Sequence, residues 1–258
     1  LSALVLKPSV YLLYRLWFWS AAGVDREAAS LLLGLLGAGA ILYGSAAALV
    51  QDQLKRVVAY STVAQLGYLL LVFPLMNHAS AWSAAGLQLV SHGLAKAGMF
   101  LAAANIVHAL GSGRLDRLAG ADKLLPASLF AFGLAGVSLM GLPPSGGFLA
   151  KWLLLEAAWA TGGWGWIAVV LAGSLLAAGY VFRVLAAVFG DPAPAAMPAT
   201  PTTQSRPPAP SPLPPAQAVP WPMTAAALLL SGAAVLLGFV AMPLVELLGR
   251  SAPPGTAP

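Results

Sequence analysis

The sequence predicts an all-α fold: an integral membrane bundle of about seven transmembrane helices, one of them broken by a Gly/Pro loop. Hydrophobic residues make up 59% of the 258 residues and charged residues only 8%, whereas soluble domains carry about 25% charged residues. Apolar segments of about 20 residues, long enough to cross a bilayer, recur along the chain. The alternating segments of about ten residues that build a membrane β-barrel are absent from the sequence.

The apolar segments predict the helices in chain order. They lie at residues 1–20, 29–50, 55–75, 81–110, 124–158, 164–189 and 222–248. The fifth segment is interrupted near its middle by GLPPSGGFLAK, residues 141–151. Because proline removes a backbone donor and glycine permits an unwound turn, this stretch predicts a break in the helix. The residues that carry the break are Pro143, Pro144, Gly146 and Gly147.

The stretch before the last helix has a different composition. Residues 191–221 are rich in Pro, Ala, Ser and Thr, a low-complexity composition that does not build a packed core. We therefore expect a disordered linker here, which sets 222–248 apart as a C-terminal transmembrane helix.

The basic residues of the loops predict the orientation of the chain. The loops on one side of the predicted bundle carry Lys55, Arg56, Arg114, Arg117, Lys123 and Arg206. The positive-inside rule assigns this side to the cytoplasm. We expect the membrane to be the bacterial cytoplasmic (inner) membrane.

Composition also excludes several classes of chemistry. The chain has no cysteine, which excludes iron–sulfur clusters, disulfides and thiolate metal sites. Its histidines, His78, His92 and His108, fall in different stretches and offer little support for a haem. The basic residues are scattered rather than gathered into a stripe, which argues against a nucleic-acid partner. The sequence therefore predicts no cofactor, no metal and no redox centre.

Charged residues within the apolar spans mark candidate functional positions, because charge at membrane depth is costly. His92 and Lys96 are four residues apart and share one helix face, and Gln88 extends that face by another turn. One interpretation is that these polar groups hold helices together. The interpretation we favour is a proton relay. Lys96 lies near the middle of the span, where its side chain cannot easily reach either membrane surface, and His92 is one turn away.

Lys151 follows the predicted break. Broken helices persist at membrane depth where they are buried in protein or line a wet cavity, and they mark ion sites in transporters. The positive N-terminus of the resumed helix and burial both disfavour a charged Lys151, so we expect a loosely held proton. The alternative is a proline kink needed for packing, with Lys151 reaching water. Glu156 is the nearest acid in this helix and is a candidate salt-bridge partner or lateral relay.

The first and third spans carry further polar residues. Ser61, Gln65 and Tyr68 are spaced to share a face, which predicts a polar lining. Lys55 is either an interfacial anchor or part of the same pathway, and Lys7 lies within the first apolar run. Lysines and a histidine across several spans, together with a broken helix and no redox centre, indicate a proton or cation pathway.

Four stretches carry a resemblance to a known family. They read SALVLKPSVYLLYRL, LKRVVAYSTVAQLGY, LQLVSHGLAKAGMFL and SLMGLPPSGGFLAKW. The chain resembles the antiporter-like subunits shared by respiratory complex I, membrane-bound hydrogenases and Mrp-type cation/proton antiporters, up to about residue 190. In that family, two inverted five-helix repeats each hold a broken helix and a proton half-channel.

The resemblance implies a domain organisation and a set of proton-carrying residues. Residues 1–20 would be the last helix of a missing first repeat, and 29–190 the second five-helix repeat. The positions that match the family's lysines and histidine are Lys7, Lys55, His92, Lys96 and Lys151. Gln65, Gln88 and Glu156 would support them.

The chain departs from the family pattern in three places. The first repeat is missing except for its last helix, and the chain opens on Leu1 rather than Met, which favours a fragment of a longer protein. Many members have Asp two positions before the lysine of the third helix, where this chain has Gln53. Some members have a second histidine at the position of Gln88.

The resemblance implies a proton-translocating subunit of a multi-subunit respiratory or antiporter complex, with other membrane subunits as partners. The ion moved within the lipid bilayer would be the proton or Na⁺, and the absence of an acidic cluster favours protons. Two alternatives remain. The chain could count as an enzyme subunit of an NADH:quinone or hydrogenase-type oxidoreductase without a redox centre of its own, or it could be a structural membrane-arm subunit that conducts nothing.

Overall fold

A computed structural model describes residues 6–19, 25–190 and 217–250. Within these ranges the chain is helical, and its only extended pairing is an isolated antiparallel bridge between Gln53 and Arg114. The α-helices are α1 (Leu6–Trp19), α2 (Arg26–Leu49), α3 (Leu54–Leu70), α4 (Ala79–Leu110), α5 (Ala121–Leu124), α6 (Pro126–Met140), α7 (Gly146–Ala160), α8 (Trp164–Phe189), α9 (Trp221–Leu236) and α10 (Ala241–Arg250). Short 3₁₀ turns lie at Phe73–Leu75 and Leu115–Arg117. The predicted all-α class is thus what the described residues show.

Among the described residues, four helical stretches are long and apolar enough to cross a membrane, or five if one bent pair counts as a span. The four are α2, α3 continued to Leu75, α4 and α8. The predicted fifth span divides at its Gly/Pro break into α6 and α7, of 15 residues each, and each is shorter than the roughly 20 residues that a span needs. The predicted linker at 191–221 lies almost wholly outside the described residues.

The C-terminal transmembrane helix expected at 222–248 is divided in the structure into two helices, which together are long and apolar enough for one bent span. α9 and α10 meet at an angle of 65°. Gly238 lies in the bend, and Pro243 lacks the N–H that would bond to the carbonyl of Phe239 four residues earlier. The turn at Gly238 follows the end of α9, and Pro243 lies in the first turn of α10, where its missing N–H is tolerated. We call residues 237–240 the α9–α10 corner.

Local sequence sets the other helix ends. Asp25 caps α2 by accepting hydrogen bonds from the N–H groups of Glu27 and Ala28. α6 ends at Gly141, whose φ of 79° is left-handed and suits glycine. Ser145 then begins α7, and its hydroxyl accepts from the N–H of Phe148 at 3.2 Å.

One end of the bundle collects most of the basic loops. The N–H of Leu54 donates to the carbonyl of Gly113, and the N–H of Leu115 to that of Asp52. The N–H of Gly120 donates to Val188, so the loop after α4 also meets the end of α8. The predicted cytoplasmic lysines and arginines other than Arg206, which lies outside the described residues, flank these contacts. We call this the basic end.

α4 lies at the centre of the bundle and contacts α3, α6, α7, α9 and α10. α2 and α3 approach through small residues: a Cβ on Gly44 would meet the backbone of Ala64, and one on Gly37 the backbone of Gly67 and Leu71. Small residues allow this close backbone contact between membrane helices. The five helices that contact α4 enclose its polar face on several sides.

Candidate functional site

α4 presents its predicted polar face to the interior. Gln88, His92 and Lys96 are all buried, with exposed fractions of 5%, 2% and 0%. The i, i+4, i+8 spacing places them on one helix face. Ser61, Gln65 and Tyr68 of α3, which were expected to share a face, are buried too.

Lys96 is held by neutral oxygens. Its Nζ donates to the carbonyl oxygen of Val58 at 2.6 Å and to the hydroxyl of Ser61. It also lies 5.8 Å from the centre of the Phe100 ring. In the described part of the chain no carboxylate contacts it: the ion pairs Arg114–Asp116 and Arg183–Asp52 both lie at the basic end.

Lys151 occupies a site that the helix break creates. Its Nζ donates to the carbonyls of Leu139 at 2.9 Å and Met140 at 3.1 Å. In a continuous helix these two carbonyls would accept from the residues four positions later. Those residues are Pro143 and Pro144, which have no N–H. The two prolines therefore leave two acceptors free, and Lys151 takes both.

The remaining surroundings of Lys151 are also uncharged. Ser174 of α8 accepts from its Nζ at 3.1 Å, and the Tyr68 ring centre lies 4.6 Å from the same atom. Only 5% of the residue is exposed. A buried amine with oxygen acceptors and a π-face can carry a proton without a fixed counter-ion.

The expected electrostatics of Lys151 need correction. We expected the positive N-terminus of α7 to act on it, but its ammonium lies against the last carbonyls of α6. Side chains on a helix tilt toward its N-terminus, which carries Nζ back across the break. The negative end of α6 favours a cation there, while burial opposes it.

Two glutamines lie between the lysine sites. Gln65 Nε2 donates to the carbonyl of Leu139 at 3.0 Å, the same oxygen that Lys151 contacts. Gln88 Nε2 donates to Gln65 Oε1 at 2.9 Å. One helical turn from Gln65, Ser61 contacts Lys96. We call the series Lys96, Ser61, Gln65, Leu139 carbonyl and Lys151 the polar row.

His92 and Lys7 extend the polar row toward α1. Neither ring nitrogen of His92 has a hydrogen-bond partner among the described residues, although buried polar atoms are nearly always paired. Lys7 is half-buried, and a Cβ placed on Gly93 would lie 3.4 Å from its Nζ. Lys7 therefore reaches α4 beside His92.

Two predicted residues lie elsewhere. Lys55 is exposed at the start of α3, at the basic end. Glu156 is exposed on α7 and does not bond to Lys151, so the salt bridge considered for it is wrong. Five residues along a helix turn the side chain about 140° away.

The sequence interpretation missed several polar residues that form contacts between the helices. Ser174 is an isolated polar residue in the apolar α8, and Ser91 and Ser138 meet at 3.0 Å between α4 and α6. Arg183 donates to the carbonyls of Leu49 and Gln51 at the end of α2. A charge inside an apolar span was the signal that could have identified Arg183.

A small cavity adjoins the polar row. It measures about 10 Å³ and is lined by Tyr68, Gln88 and Lys151 together with apolar residues. This is near the lower limit for one water molecule. Within the described ranges, no group of three or more His, Cys, Asp or Glu could hold a metal ion.

Comparisons with known proteins give matches over most of the chain. A family model described as NADH:quinone oxidoreductase/Mrp antiporter, transmembrane, matches residues 1–177. NADH-quinone oxidoreductase subunit N of Desulforudis audaxviator is 36% identical over 204 residues, which cover 78% of this chain and 40% of that protein. The chain thus spans less than half of this relative's length.

Solved structures show the same architecture. A chain in the Mrp complex from Dietzia sp. DQ12-45-1b matches with a TM-score of 0.80 and 27% identity, over 97% of this chain and 51% of that one. A chain of an archaeal membrane-bound sulfane sulfur reductase matches with a TM-score of 0.78 and 22% identity, over 97% and 47% of the two chains. At that identity the second likeness shows the fold alone.

Proposed function

The chain belongs to the NADH:quinone oxidoreductase/Mrp antiporter transmembrane family, and from that membership we propose that it translocates protons as a membrane subunit of a multi-subunit respiratory or antiporter complex. The observation that carries the proposal is the polar row. Two lysines, Lys96 and Lys151, are buried without a carboxylate partner among the described residues. Each is held by neutral oxygens, and Ser61 and Gln65, one helical turn apart on α3, lie between them. A subunit that only filled space would gain nothing from two such lysines, because burying an unpaired charge is costly.

Protons would move from Lys7 through His92 and Lys96 to Lys151. Each lysine alternates between the ammonium, which the carbonyls favour, and the neutral amine, which burial favours. The glutamines orient the acceptors, and water carries the proton between groups that do not touch. The cavity beside Gln88 and Lys151 supplies room for about one such water.

Lys55 has a different part in this proposal. Because it is exposed at the basic end, it belongs at the mouth of the pathway or anchors α3 at the interface, and not along the buried row. The basic end would face the cytoplasm of a bacterial cell, with about seven spans in the inner membrane. Residues 29–190 would form the family's second five-helix repeat.

The driving force would come from outside the chain. Redox chemistry in partner subunits or a cation gradient would drive the alternation, and each proton moved stores about 2.3 kcal/mol per 100 mV. The absence of a metal-binding acidic group among the described residues favours protons over Na⁺. In an NADH:quinone oxidoreductase or a hydrogenase, the chain would act without a redox centre of its own.

Proton uptake into inside-out vesicles that carry the intact complex tests the proposal. Lys96→Met and Lys151→Met remove the titratable group with little change in volume, and Lys123→Met is the matched control at an exposed lysine of the basic end. We expect assembled complexes on native gels, loss of uptake in the two buried variants, and normal uptake in the control. Normal uptake in both buried variants would contradict the proposal and favour a structural membrane-arm subunit.

A further inference from the structure

The helices that follow the predicted linker pack against the helix break. A cluster of buried apolar residues joins Leu87 of α4, Ala150 of α7 and Ala241 of α10. Partly buried residues around it include Leu149, Leu237 and Leu244. The family match ends at residue 177, so α9 and α10 lie outside it. The α9–α10 corner therefore covers the first turns of α7 with residues that the family match does not include.

At the corner the contact is between backbones. A Cβ on Gly238 would overlap the carbonyl oxygen of Pro144 and lie 2.7 Å from the carbonyl carbon of Ser145. On the other side of the contact, a Cβ on Gly146 would lie 2.9 Å from Cδ2 of Leu237. The break after α9 thus lies directly on the break after α6, and only glycine fits at either position without displacement.

The break between α6 and α7 is held both by its own contacts and by the corner. Its prolines supply no N–H, and its local hydrogen bonds come from Gly141, Leu142 and Ser145. A Cβ on Gly147 would overlap the carbonyl oxygen of Ser138, so α7 also lies directly against the end of α6. The acceptors of Lys151 lie at the end of α6, and Lys151 itself is on α7. A shift of α7 relative to α6 therefore changes both hydrogen bonds together.

We propose that the α9–α10 corner sets the separation of α6 and α7, and that Gly238 is a positioning residue for the proton site at Lys151. The proposal rests on the proposed function, since it assumes that Lys151 carries protons. Gly238 touches neither Lys151 nor a proton carrier of the polar row. Because Gly238 has no side chain, the end of α9 can approach the carbonyl of Pro144. Gly238 acts on the lysine site through that contact.

The chain offers a control glycine on the helix that leads to the corner. Gly232 lies in α9, six residues before Gly238, and a Cβ there meets nothing within 4 Å. Gly238 lies beyond the end of α9, so Gly232→Ala adds helix propensity that Gly238→Ala does not. Only Gly238→Ala pushes on the break, so a loss of uptake in Gly238→Ala that Gly232→Ala does not show is assigned to the contact with Pro144.

The experiment measures proton uptake by the intact complex across a pH series, with assembly checked on native gels. For Gly238→Ala we expect an assembled complex whose uptake falls about tenfold, since small displacements of a reacting group cost that much or more. The pH midpoint should also move. The groups that face Lys151 are Tyr68 of α3, Gln88 of α4 and Ser174 of α8, all uncharged near neutral pH. A moved midpoint therefore reports on the proton carriers, of which Lys151 is the one bonded to the carbonyls at the break.

Gly232→Ala should retain the rate and midpoint of the wild type. A Gly238→Ala complex with the same rate and midpoint as Gly232→Ala would overturn the proposal. If Lys151→Met loses uptake in the same preparation, only the positioning proposal is overturned and the proposed proton transport stands. If Lys151→Met transports protons normally, the proposed function itself is contradicted.

If Gly238→Ala does not assemble, a pair of compensating substitutions tests the same contact. Gly146→Ala pushes on the Leu237 side chain, and Leu237→Ala removes Cδ2 and Cγ, the two nearest atoms it would meet, while Cβ remains at 3.1 Å. We expect Gly146→Ala to lose uptake and the double variant Gly146→Ala/Leu237→Ala to recover most of it. A double variant no better than Gly146→Ala would refute a positioning contact between the corner and the break.

Discussion

Replacing Ser61 by alanine should slow proton transfer through Lys96. The Lys96 Nζ has two oxygen partners, the Ser61 hydroxyl and the carbonyl of Val58. Ser61→Ala removes one of them from a fully buried site and leaves the carbonyl in place. A hydrogen bond to a charged group is worth about 1.5–3 kcal/mol. The protonated lysine loses that stabilisation, and at about 1.4 kcal/mol per factor of ten the uptake rate falls about tenfold to hundredfold.

Ser45→Ala is the control for this prediction. Ser45 is equally buried, but its hydroxyl has no partner among the described residues, so its loss removes no hydrogen bond. Both variants are compared in inside-out vesicles by the initial rate of proton uptake, normalised to assembled complex on native gels. The reasoning fails if Ser61→Ala and Ser45→Ala take up protons at the same rate.

Three further changes test other parts of the site. Gln65→Leu leaves the Gln88 amide without its acceptor and should lower the free energy of unfolding by about 1–3 kcal/mol; a thermal-unfolding midpoint equal to that of the wild type would contradict this. Arg183→Met removes the donors at the end of α2 and should lower the unfolding midpoint while uptake per assembled complex stays normal, so a loss of uptake in intact complexes would assign Arg183 to the pathway. Glu156→Gln should leave uptake unchanged, because Glu156 is exposed and turned away from Lys151, and a clear loss would return it to the relay.

Helical spacing was sufficient to predict the polar faces. His92 and Lys96 are four residues apart, as are Ser61 and Gln65, and both pairs are buried as expected. The Gly/Pro punctuation likewise predicted the break. Each of these features depends on residues close together in the sequence of one helix, so the sequence alone is enough to predict it.

The partners of Lys151 depended on packing between helices. Its position in the sequence suggested the N-terminus of α7, but its side chain crosses the break to the carbonyls of Leu139 and Met140. Ser174 comes from α8, which only the tertiary fold brings near. Glu156 is close in sequence and was expected to help, yet helical geometry turns it away.

The bend after α9 had a readable signal. Gly238 and Pro243 stand five residues apart in an apolar run, much as glycines and prolines stand between α6 and α7. Composition alone suggested one continuous span because the run is apolar throughout. What the bend contacts could not be read from it, since Pro144 lies almost a hundred residues earlier.

Proton uptake by Lys151→Arg tests most directly whether this lysine exchanges its proton. Arginine keeps a cation and several donors for the carbonyls of the break, but its guanidinium does not deprotonate in proteins. If Lys151 must alternate between charged and neutral forms, an assembled Lys151→Arg complex takes up no more protons than Lys151→Met. If Lys151→Arg supports wild-type uptake, a fixed charge is enough, and Lys151 is not a proton carrier.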